Sequence, residues 1–358
     1  MKLSDFYFEL PEHLIAQEPP LERGLSRLLL MDRLMGKRTH SEVLQLPEIL
    51  CGENFLSPNG EKPLLVFNDT KVRKARIFAK NDQTGAEAEF LLLEQVNDKT
   101  WKAIVKRKQR KKTGSIYIFY DDKQKEISRA QVKGHEEENL LLEFDNIINE
   151  DFFEKCGHIP LPPYIKRKDT PSDAQRYQTI YAKSSGSAAA PTAGLHFTQE
   201  LLDSLKENGI DSAFVTLHVG LGTFLPVRCQ NIQDHQMHEE QFIITEENAA
   251  IIESAILNKR KIVAVGTTSL RSLESAITYN ENGDINLKRG WQSTSIFIYP
   301  GFSFKIVNAL FTNFHTPEST LLMLVSAFAG RDFILESYAE AVREQYRFFS
   351  YGDATLIY

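Results

Sequence analysis

Three short stretches of this chain gather residue types suited to proton transfer and anion binding. The first is Ala190-Pro191-Thr192-Ala193-Gly194-Leu195-His196-Phe197-Thr198, immediately ahead of a helix-like run over 199–208. The second is Leu217-His218-Val219-Gly220-Leu221-Gly222-Thr223-Phe224, and the third is Asn313-Phe314-His315-Thr316-Pro317-Glu318-Ser319-Thr320. Each sets a histidine among apolar and hydroxyl neighbours at the edge of a strand or helix. Histidine, with an unperturbed pKa of about 6.5, is the side chain suited to acid–base work near neutrality. His196, His218 and His315 are therefore expected to converge on one pocket. The competing reading of each is a hydrogen-bonded structural histidine.

Strand-to-helix junctions add to this pattern. Free amides at a helix N-terminus attract a carboxylate or phosphate, and ligands of layered α/β proteins sit beyond the carboxyl ends of strands. Val265-Gly266-Thr267-Thr268-Ser269, Phe197-Thr198 and residues 313–320 share that character, with plain helix capping as the alternative. Gly220-Leu221-Gly222 carries little alone, and no glycine is followed by Lys-Ser or Lys-Thr, which excludes a phosphate loop of that type. His235-Gln236-Met237-His238-Glu239-Glu240 holds metal-ligand types, but it is not His-Glu-x-x-His. A polar loop without metal is expected there; a metal-dependent hydrolase on His235, His238 and Glu239 is the rival.

Two further runs stand out. Lys102, Lys106, Arg107, Lys108, Arg110, Lys111 and Lys112 fall in one segment with no acid between Lys106 and Lys112. In a chain of net charge −6, such a ridge points to a polyanion partner, because it neutralises phosphates and releases counterions. The tail Tyr346-Arg347-Phe348-Phe349-Ser350-Tyr351-Gly352-Asp353 offers aromatic faces that stack on bases. Core packing is its default reading, which leaves the Asp353 carboxylate unexplained.

The elements that must position these residues change along the chain. Residues 1–66 read as α/β, with strands at 27–32 and 64–67. Six β-rich runs follow at 72–79, 87–95, 100–106, 115–120, 126–133 and 139–144, the spacing of a small barrel or sandwich. Beyond 149, strands at 213–219, 261–265, 293–299 and 304–311 alternate with helices at 173–182, 318–328, 332–345 and one capped by Thr245. The fold class is therefore α/β and multi-domain. A layered α/β catalytic domain, 1–69 plus 150–358, is interrupted by an antiparallel β-barrel-like domain at 70–149. The 358 residues suffice for two domains, and 42% hydrophobic with 25% charged residues is ordinary globular composition. Cys51, Cys156 and Cys229 are isolated, which argues against a disulfide framework. Without a leader or a long apolar run, a cytoplasmic protein with no membrane partner is expected.

Taken together, these motifs resemble the S-adenosylmethionine:tRNA ribosyltransferase-isomerases of queuosine biosynthesis over essentially the whole chain. The resemblance is carried by Ser4-Asp5-Phe6, Phe67-Asn68-Asp69-Thr70, Ile159-Pro160-Leu161-Pro162-Pro163-Tyr164-Ile165, Arg176-Tyr177-Gln178-Thr179, the three histidine stretches, Gly266-Thr267-Thr268 with Arg271, and residues 346–353. Lys71-Val72-Arg73-Lys74-Ala75-Arg76 and Val105-Lys106-Arg107 depart from the family pattern by adding charge. The resemblance implies transfer of the ribosyl part of S-adenosylmethionine to a 7-aminomethyl-7-deazaguanine (preQ1) base at the tRNA wobble position, giving epoxyqueuosine with loss of adenine and methionine. S-adenosylmethionine is then a consumed cosubstrate, no prosthetic group is needed, and the protein is expected to be a monomer. His196 and His315 become the acid–base candidates, with His218 in support. Thr192, Gly194, Thr267, Thr268, Arg271, Asn313 and Ser319 become cosubstrate contacts. Phe197 and Phe349 become stackers, and Asp353 or Asp69 a partner for a cation. A non-catalytic tRNA-binding module is the remaining alternative.

Overall fold

In the computed structural model, which describes residues 1–105, 111–121, 123–136, 139–220 and 227–358, the layering follows from strands that are apolar on both sides. Leu64 and Val66 enter one core while Leu65 and Phe67 enter another, and Ile262 and Ala264 against Val263 and Val265 repeat the pattern. A strand buried on both faces needs a cover on each. The sheet they belong to runs β7 (Gly290–Thr294), β5 (Glu240–Ile244), β4 (Asp211–Leu217), β3 (Leu64–Asn68), β6 (Ile262–Val265), β8 (Ala309–Asn313), β9 (Ala354–Ile357), β1 (Arg27–Asp32) and β2 (Lys37–Glu42). The strands β4, β3, β6 and β8 are mutually parallel.

One face carries α2 (Glu246–Leu257), α3 (Thr267–Ser275), α4 (Thr320–Ala329) and α5 (Arg331–Arg343), which bury Ile252, Leu270, Leu322 and Ile334 against it. The other carries α1 (Gln199–Glu207) through Leu201 and Leu205. Hydroxyl caps start three of these helices: Thr198 accepts from the Leu201 amide, Thr245 from Asn248 and Ser319 from Leu322. This mixed α/β architecture agrees with the expected fold class.

A second compact unit comprises residues 72–162 and 168–175, and the sheet just described belongs to the first, residues 1–71, 163–167 and 176–358. The second unit therefore extends past the anticipated 70–149. Among its described residues, antiparallel strands Arg76–Asn81, Glu87–Gln95, Thr100–Val105, Asn139–Phe144, Glu126–Glu136 and Ile116–Tyr120 close on themselves as a barrel. Period-two burial fills it, with Ala88, Phe90 and Leu92 inside. Of the charges that depart from the family pattern, Arg73 pairs with Glu150 at 2.7 Å and Lys74 with Glu154 at 2.6 Å, while Lys106 and Arg107 lie outside the described residues.

Several elements differ from expectation. The strands Lys37–Glu42, Glu240–Ile244 and Ala354–Ile357 were not anticipated, and those expected at 293–299 and 304–311 lie at Gly290–Thr294 and Ala309–Asn313. Lys37–Glu42 is polar throughout and holds its place by pairing with β1 along its whole length. The expected helix at 173–182 is confined to Asp173–Arg176. Among the described residues no helix is long and apolar enough to cross a membrane.

Candidate active site

Because β6 and β8 are neighbours and parallel, both release the chain at the same edge of the sheet. There β6 turns through Gly266, at φ 90°, into α3, and β8 runs through His315 toward α4. Both helix N-termini line a cavity of about 530 Å³, a volume typical of small-molecule sites. Thr267, Thr268 and Ser319 stand at those N-termini, where unpaired amides and the helix dipole favour an anionic group. Two of these hydroxyls are oriented: the Asn68 amide donates to Thr268 Oγ1 at 3.1 Å, and Ser319 donates to the Thr316 carbonyl at 2.8 Å.

His315 lines this cavity and is buried. Its Nε2 is 3.2 Å from Thr312 Oγ1, and its amide donates to the Tyr338 hydroxyl. Burial pulls its pKa down to about 3, so the ring is neutral near neutrality. Phe349 supplies an aromatic wall, its ring 4.6 Å from that of Tyr164. Its backbone sits at φ 72°, a left-handed conformation that costs a non-glycine residue about 1 kcal/mol.

His196 and His218 do not line the cavity, which corrects the expected convergence of all three histidines. His196 Nε2 lies 3.0 Å from Asn313 Nδ2, and its Nδ1 lies 3.0 Å from Ser26 Oγ. An amide nitrogen only donates, so Nε2 accepts and the ring proton sits on Nδ1, facing Ser26. The same Asn313 nitrogen donates to the Phe349 carbonyl at 3.0 Å. His196 thus fixes a residue of the cavity wall, and burial holds its own pKa down at about 4. His218 bonds through Nδ1 to Thr70 Oγ1 at 2.8 Å.

Of the other expected cosubstrate contacts, Thr192 and Asn313 line the cavity, and Gly194, Phe197, Arg271 and Asp353 do not. A Cβ on Gly194 would stand 2.1 Å from the Tyr181 hydroxyl, so its smallness serves packing. Phe197 is fully buried, edge-on to Phe67 and Phe311, and no ligand can stack on it. Arg271 makes a buried ion pair with Glu240, whose other oxygen accepts from the Gly220 amide at 3.0 Å. Asp353 accepts from the backbone amides of Arg27 and Arg347 at 2.9 and 2.8 Å and so pins the tail; burial nevertheless raises its pKa. Asp69 accepts from the Thr216 hydroxyl and is likewise raised by burial.

The Queuosine biosynthesis protein family profile matches residues 3–357. This chain belongs to that family. Curated relatives named S-adenosylmethionine:tRNA ribosyltransferase-isomerase are 50% identical in Treponema denticola and 47% in Acetivibrio thermocellus, each match covering 100% of both chains. A crystal structure of S-adenosylmethionine tRNA ribosyltransferase from Thermotoga maritima is 35% identical, with a TM-score of 0.53 over 99% of this chain and 100% of that one.

The cavity of this queuosine-family chain also holds residues that spacing did not single out. Tyr164 lines it and shares a 2.6 Å hydrogen bond with Ser350 Oγ; the proline-rich run before it was the available signal. Thr312, on β8, lines the cavity as well, and its Oγ1 lies 3.2 Å from His315 Nε2. Glu318 is the one carboxylate among the described lining residues. No cluster of three or more His, Cys, Asp or Glu side chains able to hold a metal occurs among the described residues, and His235 packs edge-on against Phe297.

Of the basic run, Lys106, Arg107, Lys108 and Arg110 lie outside the described residues. Lys102 is not an unopposed cation: its Nζ lies 3.1 Å from Glu136 and 3.5 Å from Glu94. Lys112 is exposed on the surface of the barrel unit, and Lys111 is half-buried against the Tyr117 ring.

Proposed function

We propose that this chain transfers and isomerises the ribosyl part of S-adenosylmethionine onto 7-aminomethyl-7-deazaguanine at the wobble position of tRNA, releasing adenine and methionine and leaving epoxyqueuosine. It does so as a cytoplasmic monomer without a prosthetic group. The reading is supported by an end-to-end family match around one cavity that combines two helix N-termini, an aromatic wall and a neutral buried histidine.

The reaction makes three demands. The sulfonium charge acidifies the carbon beside it, and a base must take that proton. His315 sits unprotonated in the cavity wall and is the candidate base; the burial that keeps it neutral also weakens it, so the acidity that the sulfonium lends the carbon has to drive the transfer. The methionine carboxylate needs donors, which the amides opening α3 and α4 provide, with Thr267, Thr268 and Ser319 at hand for the ribose hydroxyls. Adenine and the incoming base need flat apolar walls, and Phe349 with Tyr164 forms one. Asn313 and Thr192 complete the contacts, and His196 acts by holding Asn313.

The test is to supply S-adenosylmethionine and tRNA carrying the aminomethyl deazaguanine. Adenine and methionine should appear in equal amounts while the RNA gains a ribosyl-derived mass. S-adenosylhomocysteine as product would mean methyl transfer and overturn the reading. Loss of turnover on chelation would favour the metal-dependent alternative.

A further inference from the structure

The chain has two tryptophans, and they live in opposite environments. Trp101 is 3% exposed inside the barrel, whereas Trp291 is 56% exposed on β7, opposite Ile243 of β5. The exposed ring is not loose. It lies 5.6 Å from the His218 ring with the planes only 34° apart. His218 in turn is held through Nδ1 by Thr70 at 2.8 Å, and its amide donates to the Gln241 carbonyl at 3.0 Å. On a further side, a Cβ added to Gly186 would come within 3.1 Å of the imidazole, so the ring is closely packed there. The residue after His218 is Val219, part of the cavity wall, tied by its amide to Ser187 Oγ at 2.9 Å.

We infer that Trp291, propped on His218, is the platform on which an unpaired base of the RNA substrate stacks as the wobble base enters the cavity. The inference rests on the proposed function, which requires a single-stranded nucleotide to be splayed toward the site. A single exposed ring with polar exposed neighbours, Lys288, Ser293 and Gln241, matches one base face rather than a protein partner, which would need a broad apolar patch. It also gives His218 a use: a positioning residue that fixes the platform rather than a proton carrier in the cavity.

An anticodon stem-loop RNA carrying 7-aminomethyl-7-deazaguanine at the wobble position is the probe. In a Trp101→Phe background, where Trp291 is the sole indole, binding should quench the emission. In the otherwise unaltered chain, Trp291→Ala should weaken RNA binding about tenfold or more, and Trp291→Phe should restore most of it. The salt dependence of RNA binding and the affinity for S-adenosylhomocysteine should stay unchanged in both. RNA binding by Trp291→Ala within about twofold of the parent, or binding without quenching, overturns the platform and leaves the proposed function standing. Failure of the unaltered chain to bind the RNA overturns both.

Discussion

His196 and His315 share a residue type and a buried setting but differ in partners, and the partners assign the roles. His315 forms part of the cavity wall, so His315→Asn should lower kcat about a hundredfold or more with little change in cosubstrate affinity. His196 accepts from Asn313 through Nε2 and donates to Ser26 through Nδ1, and a glutamine side chain likewise offers a carbonyl acceptor and an amide donor. His196→Gln should keep kcat within several-fold, whereas His196→Phe, which offers no acceptor, should raise KM. A hundredfold kcat loss in His196→Gln would restore His196 as a proton carrier. Both histidines also link stability to pH. Each has its folded pKa lowered, to about 4 and about 3, against about 6.5 unfolded, so the unfolded chain takes up protons first. Their stabilisation is complete above about pH 6.5 and is lost as the pH falls toward 4. Melting temperatures across that window should fall steeply, and His196→Gln should make the acid limb shallower. Sequence alone could rate these residues as equals, because which ring reaches a cavity depends on side-chain direction, not on spacing.

Elements tell the same story of legible pattern and illegible approach. Runs of β-forming residues at regular spacing made the barrel strands readable, and Thr198 and Thr245 announced their helices before any packing was known. Lys37–Glu42 carries no such alternation, so its strand character comes from pairing alone. The resemblance made Gly194 a cosubstrate contact; what approaches it is Tyr181. Gly194→Ala should therefore destabilise by about 1–3 kcal/mol, read as a lower urea midpoint. Gly134→Ala, where an added Cβ meets nothing within 4 Å, should stay close to the parent. Ser319 serves α4 and the cavity together. Ser319→Ala should cost about 1 kcal/mol as a lost cap and raise the KM for S-adenosylmethionine, while Thr245→Ala, a cap outside the cavity wall, should cost similar stability with KM unchanged.

At the scale of the whole molecule, the proposed function asks an acidic protein to hold a polyanion, and local charge decides where it would do so. Counting bases in sequence treats Lys102 like Lys111 and Lys112, but the structure separates them. Lys102 faces Glu94 and Glu136, so a phosphate arriving there meets two carboxylates as well as one ammonium. Lys112 is exposed, has no acidic partner among the described residues, and follows the basic residues 106–110 in sequence. The salt dependence of tRNA binding reads this difference directly, because each neutralised phosphate adds to the slope of log K against log salt. Lys106→Ala combined with Arg107→Ala and Lys108→Ala should weaken tRNA binding and flatten that slope by about one unit or more. Lys102→Ala should leave the slope within error. A Lys102→Ala slope that falls as far would place the phosphates on the carboxylate-flanked side of the barrel; unchanged binding in the triple variant would return the basic run to a solvated turn.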